Sequence, residues 1–561
     1  MPWLSAVVVL AVCSAAAGSP QDRAAPPPQP VLRELRLDGA TIFTRDDVLW
    51  LLKLREGSPL PEAPAAVAKS LAERYDRDGY SQARVTAEFN EPAGRLTLTV
   101  DEGRIDDIEI VGVDAREAAR FRRILGIKPG DIYNRRAVGR AAAQLIAESR
   151  GALSIGKPRP GQPGAPGPES GRDEVVLDRR GPKNVLVVPL RWRHLRTDLT
   201  TGSGREDLFS PPDGFSPAIG YSTTIFNHSS FNHTFIDGYV SYKFGRDEPG
   251  FSAGVERPVF RGPARLYLGA EAHDVTTSDD LWRLTSFEQT LVSVGFKNSF
   301  RDYYRRKGAQ LFGVLRAGDN SEFSAQARWD RHQPLDNATN YSFFRDEAAL
   351  RPALPVRDRR VNALVLGYTF DTSPLSAAGS RATYQRHLKD NLYGSPRTRR
   401  PGARLEWTSE IAGRALDGDA TFERHILQAR GHVPVSRTLL SARGLFGFSN
   451  GTLPVERQFA VGGIGSVRGY GFKESGGGTG MTLLNVEYSV HLSGRQNSYG
   501  GVSAFGFFDA GRVTTSLRKG AEWLRGVGFG VGSGSVRLEV GFRANDVPRS
   551  RQILLRFAPT F

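Results

Sequence analysis

The chain has 561 residues, 24% of them charged, with 62 Gly, 34 Pro, a single Cys and a formal net charge of +15. One cysteine excludes an intramolecular disulfide framework and any thiolate zinc or iron–sulfur site, each of which needs at least a pair. No stretch reaches the roughly 18 consecutive apolar residues of a spanning helix, so the membrane class left open is the β-barrel, whose strands alternate and average out as polar.

At the N-terminus, residues 3 to 17 read WLSAVVVLAVCSAAA, a short apolar core running into small residues, with Ala15-Ala16-Ala17 as an Ala-x-Ala cleavage site before Gly18. This pattern predicts a secretory signal peptide over residues 1–17, too short to cross a membrane. Cys13 lies inside it, so the exported chain would be cysteine-free, as suits an oxidising compartment. Residues 18–30 contain PQDRAAPPPQP and read as a Pro-rich extended tether.

An internal repeat follows. Leu51, Leu52, Leu54 and Gly57 recur as Ile124, Leu125, Ile127 and Gly130, each pair 73 residues apart, and Leu37-Asp38-Gly39 recurs as Ile110-Val111-Gly112 at the same offset. The first copy predicts a strand over Leu32 to Leu37, a helix from Arg45 to Leu54, and a second helix from Pro61 to Tyr75. In that second helix Val67, Leu71 and Tyr75 share one face. Two alternating runs close the unit, Val85, Ala87, Phe89 and then Leu96, Leu98, Val100.

This β-α-α-β-β unit, twice in tandem behind a signal peptide, resembles the POTRA domain of periplasmic transport proteins. The first copy spans residues 31–103. The second, 104–191, carries a Pro/Gly-rich insertion over about 157–183 that is expected to lack structure, after which NVLVVPL at Asn184 to Leu190 resumes strand character. Such units offer strand edges that could accept an unfolded client by β-augmentation; the alternative is a plain spacer.

From residue 192 to 561 short alternating segments are separated by Gly, Asp, Asn, Ser and Pro. Ile236, Val240, Tyr242 and Phe244 face away from Asp237, Ser241 and Lys243; Leu266, Leu268, Ala270 and Ala272 away from Arg265 and Glu271; Phe323, Ala325, Ala327 and Trp329 away from Ser324, Gln326 and Arg328. A soluble sandwich has the same period. An exported run of this length favours a closed outer-membrane barrel of about 16 antiparallel strands. The final segment sets Ile553, Leu555, Phe557 and Phe561 on one face, and its terminal aromatic resembles the recognition signal of outer-membrane barrels.

Late in the chain, residues 459–472 read FAVGGIGSVRGYGF and residues 505–511 read FGFFDAG. Together they resemble the two signatures of the outer-membrane insertase and translocase superfamily, which includes BamA-like and TamA-like proteins and the transporters of two-partner secretion. The resemblance implies that Val467, Arg468, Gly469 and Tyr470 form the tip of a long extracellular loop folded back into the barrel. Arg468 would meet Asp509 of the wall, with Glu487 as a second candidate carboxylate. A guanidinium can form a bidentate bond to a carboxylate that lysine cannot reproduce. Gly465, Gly469 and Gly471 would let the loop turn tightly, and Tyr470 would pack beside it.

Two further features stand out. Pro559 removes a ladder donor near the end of the last strand; by resemblance, a weak seam there could open sideways to a client strand. The excess of Lys and Arg suits phosphate groups of lipopolysaccharide or anionic lipid, and arginine-rich composition from a GC-rich genome explains it equally well. These charges are dispersed and do not form the stripe of a nucleic-acid binder.

Enzyme signatures are absent from the sequence. No His-Glu-x-x-His occurs; Gly156-Lys157 precedes Pro158 and is no phosphate loop; the glycines from Gly526 lack a dinucleotide fingerprint; and no Gly-x-Ser-x-Gly elbow appears. The expectation is therefore a non-enzymatic protein of the bacterial outer membrane, without cofactor or metal, whose POTRA-like units lie in the periplasm. Its expected partners are unfolded outer-membrane or secreted clients, outer-membrane lipid, and periplasmic chaperones or accessory proteins. Insertion of many clients is preferred to export of one dedicated passenger by two-partner secretion. A passive diffusion channel and a structural tether are the readings from other classes.

Overall fold

The structure, a computed structural model, describes residues 30–156, 175–203, 206–229, 232–261, 264–345, 349–373, 375, 401–492, 501–515, 522–534 and 536–557. The expected signal peptide, residues 18–29 of the tether, Pro559 and Phe561 lie outside the described residues. The chain divides after Trp192 into two compact units.

In the first unit, β1 (Glu34–Asp38), α1 (Arg45–Leu51), α2 (Pro64–Arg77), β2 (Arg84–Asn90) and β3 (Arg95–Asp101) form the first repeat. The sheet order is β1-β3-β2, with β1 parallel and β2 antiparallel to the central β3. Helix α1 starts at a capping box in which the Thr44 hydroxyl and the Asp47 carboxylate satisfy each other's backbone N–H groups. It stops short of the expected Leu54, because Lys53 turns into the left-handed region at φ 55°. Pro64, with φ preset for a first helical turn, starts α2 three residues later than expected. Val67, Leu71 and Tyr75 are buried together against Leu35, Leu96 and Leu98. The expected first strand is broken at Arg33: Val31–Leu32 pairs instead with Ser58–Pro59.

The second repeat has β4 (Asp107–Val111), α3 (Ala115–Leu125), α4 (Arg135–Glu148), β5 (Leu153–Ile155), β6 (Val176–Arg180) and β7 (Lys183–Trp192). Strand β4 is parallel and β6 antiparallel to β7, the pattern of β1 and β2 about β3. The insertion expected to lack structure over 157–183 is thereby shortened. Val176–Arg180 is a hairpin partner of β7, formed through a turn at Gly181 (φ 63°), because the long central strand needs a second ladder. The 73-residue offset reappears in the backbone. Gly39 and Gly112 both have positive φ, 79° and 90°, and a Cβ there would lie 2.3 Å from the carbonyl oxygen of Val100 and 2.0 Å from that of Leu190.

At the end of the first repeat, directly after β3, Glu102 is 3% exposed. Its carboxylate accepts from the Thr41 hydroxyl (2.5 Å), the backbone N–H groups of Thr41 (2.7 Å) and Ile42 (2.8 Å), and the Tyr75 hydroxyl (3.0 Å). Burial pushes its pKa up, but these donors outweigh burial and hold it below the usual glutamate value. The same burial and the neighbouring carboxylate push the Tyr75 phenol upward.

The second unit is built on one antiparallel sheet of seventeen ladder segments running in chain order from Leu195–Thr201 to Gln552–Phe557. Two of them, Arg359–Arg360 and Ala363–Asp371, pair in succession with Ser321–Gln333 and make one interrupted strand, which leaves sixteen. The burial of the two faces decides between barrel and sandwich. Val240 is 57% and Trp329 48% exposed, whereas their neighbours Ser241, Lys243, Arg328 and Asp330 are buried. A sandwich buries its apolar face in a dry core; here the polar face is inside and the apolar face outside, as a lipid-facing barrel requires. No helix among the described residues is long and apolar enough to cross a membrane.

Candidate functional site inside the barrel

The strands Thr438–Gly451 and Gly480–His491 are joined by a loop that turns back into the barrel. Its apolar residues Phe459, Val461, Val467 and Tyr470 are buried in one cluster with Trp282, Met481 and Leu483. The chain can pass so close to the wall because Gly465 (φ 69°) and Gly469 (φ 91°) are left-handed; a Cβ on them would strike the Arg283 carbonyl oxygen at 2.2 Å and the Phe542 carbonyl carbon at 2.5 Å. Gly471, expected to share this role, does not. Its φ is not positive, and the nearest atom to a Cβ there would be a Glu474 carboxylate oxygen at 3.5 Å, so the tight part of the loop ends before it.

Arg468 is at the centre, 3% exposed. Its Nε donates to Asp509 Oδ2 at 2.7 Å and its Nη2 to Asp509 Oδ1 at 2.9 Å, the two-pronged contact that only a guanidinium makes; its backbone N–H adds a third bond at 3.1 Å. Its Nη1 donates to Glu539 Oε2 at 2.8 Å and lies 3.8 Å from Glu487. The guanidinium carbon stands 3.4 Å from the centroid of the Phe507 ring, whose face attracts a cation. Glu487 is closer to Arg537, at 2.7 Å, and Glu539 also has Arg556 at 3.7 Å. Arg468, Arg537 and Arg556 thus face Asp509, Glu487 and Glu539, all of them almost wholly buried, so opposite charges offset one another where solvent exposure is small.

Further hydrogen bonds orient this cluster. Asn485, in register with Asp509 on the adjacent strand, donates through Nδ2 to Asp509 Oδ1 and to the Ser466 carbonyl, both at 2.7 Å. Its Oδ1 accepts from Arg443, which also donates to the Gly465 carbonyl at 2.7 Å. The Tyr470 hydroxyl accepts from the Arg525 N–H at 3.3 Å, and Arg543 lies 4.7 Å over its ring. A second clamp comes from Arg283, which donates to the carbonyls of Ala460 (2.8 Å) and Gly462 (3.0 Å). Among the described residues no group of His, Cys, Asp or Glu is arranged to hold a metal ion.

The structure therefore brings together Val467, Arg468, Gly469, Tyr470, Asp509 and Glu487. Phe557 is elsewhere, half-buried on the last strand. Sequence reasoning missed Glu539 and Arg443. Their signal was the alternation itself: in VRLEVGFR, Arg537 and Glu539 occupy the face opposite Val536, Leu538 and Val540, which in a barrel is the lumen.

A sixteen-stranded sheet with apolar exterior, preceded by tandem POTRA-type repeats and filled by an arginine-pinned loop, defines an outer-membrane barrel with a periplasmic module. The chain belongs to the Omp85 superfamily, whose domain matches residues 240–539; the POTRA family, surface antigen variable number repeat, matches residues 30–103. Membership assigns the protein to outer-membrane protein insertion or translocation. Solved structures similar in fold include CdiB from Escherichia coli, 17% identical over 96% of this chain and 92% of that one at a TM-score of 0.35. CdiB from Acinetobacter baumannii is 14% identical over 92% and 86% at 0.32. POTRA1-3 of the periplasmic domain of Omp85 from Anabaena is 19% identical over 29% of this chain and 66% of that one, at 0.24. No curated protein matches the chain.

Proposed function

We propose that this protein inserts unfolded clients into the bacterial outer membrane. Clients arrive in the periplasm at the first repeat, where β2 is an edge of its sheet and offers backbone groups for strand addition. The barrel then delivers them to the bilayer. No chemical energy source is called for, since client folding and burial of apolar surface in lipid supply the driving force.

The observation that carries this reading is the loop held in the lumen by Arg468 on Asp509 and Glu539. A passive diffusion channel has no use for a buried, charge-matched plug, and a tether has no use for a barrel that holds one. A second reading, export of a single dedicated passenger by two-partner secretion, is favoured by the two repeats described ahead of the barrel.

The test is depletion in the native host followed by quantitative proteomics of outer membrane and culture medium, with Arg468→Ala as a second arm. Loss of many barrel proteins from the membrane is the expected result. Disappearance of one large secreted protein, with the membrane proteome unchanged, replaces insertion by two-partner secretion.

A further inference from the structure

The loop between the strands Ala264–Thr277 and Tyr304–Ala317 carries an eleven-residue helix, α5 (Ser286–Phe296). Its faces are inverted relative to a helix of a water-soluble protein. Glu288, Gln289 and Ser293 are buried, whereas Phe287 is 61% and Leu291 37% exposed on one face; Phe296, at the C-terminal end, lies on the opposite side from Phe287 and meets the Phe344 ring at 5.6 Å. Gln289 is satisfied inside, donating to the hydroxyls of Ser293 (2.7 Å) and Ser299 (3.0 Å) and accepting from the Phe300 N–H (3.1 Å).

The contacts of α5 with the last strand, Gln552–Phe557, show where that helix lies. Glu288 accepts from the Arg556 guanidinium at 2.9 Å on the lumen face, where Arg556 is fully buried. One residue on, the Phe287 ring meets the Phe557 ring edge-on at 5.8 Å, on the face that Phe557 shares with the exposed Ile553 and Leu555. An element that touches both faces of one strand lies along its edge. Glu288 confirms this by accepting from the Phe557 backbone N–H at 2.7 Å, a group that points away from the strand's ladder partner. On the other flank, the Thr290 hydroxyl accepts from the Leu208 N–H at 3.1 Å, in the loop that follows the first strand, Leu195–Thr201. Among the described residues no ladder joins the first strand to the last.

We propose that α5 is a segment of the barrel wall: it lies along the edge of the last strand with Phe287 and Leu291 in the acyl chains of the membrane and Glu288 and Gln289 turned to the lumen. The apolar face of the helix continues the lipid-facing belt through the Phe287–Phe557 contact. Its polar face matches the lumen, so α5 obeys the same inside-out rule as its neighbouring strands. A strand edge facing hydrocarbon cannot leave amides unsatisfied, and the Glu288 carboxylate supplies the missing acceptor at Phe557. This placement holds whichever client the barrel handles.

The test uses the full chain in liposomes, in a Cys13→Ser background, with a fluorophore attached at Leu291→Cys or, as a second site on the same face, Val294→Cys. Labels at Leu555→Cys on the outer barrel face and at Trp50→Cys on α1 serve as lipid and water standards. Brominated phospholipid is expected to quench the Leu291 label as strongly as the Leu555 label, with iodide quenching at least about fivefold weaker than at Trp50. In parallel, Phe287→Cys with Phe557→Cys is expected to form a disulfide on oxidation in protein that still shows the heat-modifiable mobility of a folded barrel. Strong iodide quenching without lipid quenching at Leu291 overturns the proposal by placing the helix in water. Absence of the disulfide in folded protein overturns it by removing the helix from the strand edge.

Discussion

Both units are built from strands of alternating polarity, and they use the alternation in opposite senses. In the first repeat Leu96, Leu98 and Val100 are buried and their neighbours face water. In the barrel Leu538 is 47% exposed while Glu539 beside it is wholly buried. Period two reports that a strand has two environments; which of them is dry depends on whether the sheet closes around a lumen or packs on helices. The barrel interior combines an apolar cluster around Trp282 and the loop with many charge-compensated and hydrogen-bonded groups, whereas the interior of the first repeat is mostly close-packed hydrocarbon.

The largest expected effect is at Arg468. Replacement by Ala leaves the buried Asp509 without its guanidinium partner and should cost about 3–5 kcal/mol, read as a lower temperature for loss of heat-modifiable mobility. Arg468→Lys should recover little of it, because a single ammonium cannot span both Asp509 oxygens. Next comes Leu71→Ala on α2, fully buried in the first repeat, with a loss of about 2–5 kcal/mol that is measurable by hydrogen exchange across α2. The matching change on the outside of the barrel, Leu538→Ala, should cost less, since lipid fills the vacated space. Equal losses at the two leucines would break the contrast between the units.

Smaller again is Gly39→Ala. Its Cβ would collide with the Val100 carbonyl at positive φ, and strain of about 1–3 kcal/mol is expected. Gly112→Ala should behave alike if the repeats are equivalent. The mildest effect is on pH. Glu102 has a depressed pKa when folded, so it contributes stability above the ordinary glutamate value of about 4.3 that is lost as the pH falls through the lower folded value. Exchange protection of the Thr41 and Ile42 amides should therefore drop on acidification, and Glu102→Gln should flatten that dependence.

Much of this was legible in the chain itself. The 73-residue offset predicted two similar units because Gly39 and Gly112 are needed wherever the strand passes a neighbouring carbonyl. The Arg468–Asp509 contact was legible through its resemblance to the family's motifs. Glu539 was not, since a luminal carboxylate in an alternating strand reads like any solvated residue until the barrel closes. Helix α5 was hidden for a related reason: Phe287 and Leu291 stand four residues apart like part of an ordinary core face, and nothing local says that this face turns outward. Gly471 misled because a glycine-rich run does not show which of its members takes positive φ. The strand Val176–Arg180 was masked by the Pro/Gly-rich composition of the residues before it.

The burial of Arg468 also sets how the loop responds to its medium. Dissolved ions weaken attraction between charges they can surround, over a screening length of about 8 Å at physiological ionic strength. Arg468 and Asp509 touch at 2.7 Å with almost no surface open to solvent, so counter-ions have no room to enter between them. The loop should stay docked through high-salt washes that strip peripheral proteins from the membrane, whereas exposed pairs such as Arg36 with Asp38 on the first repeat dissolve into the ionic background.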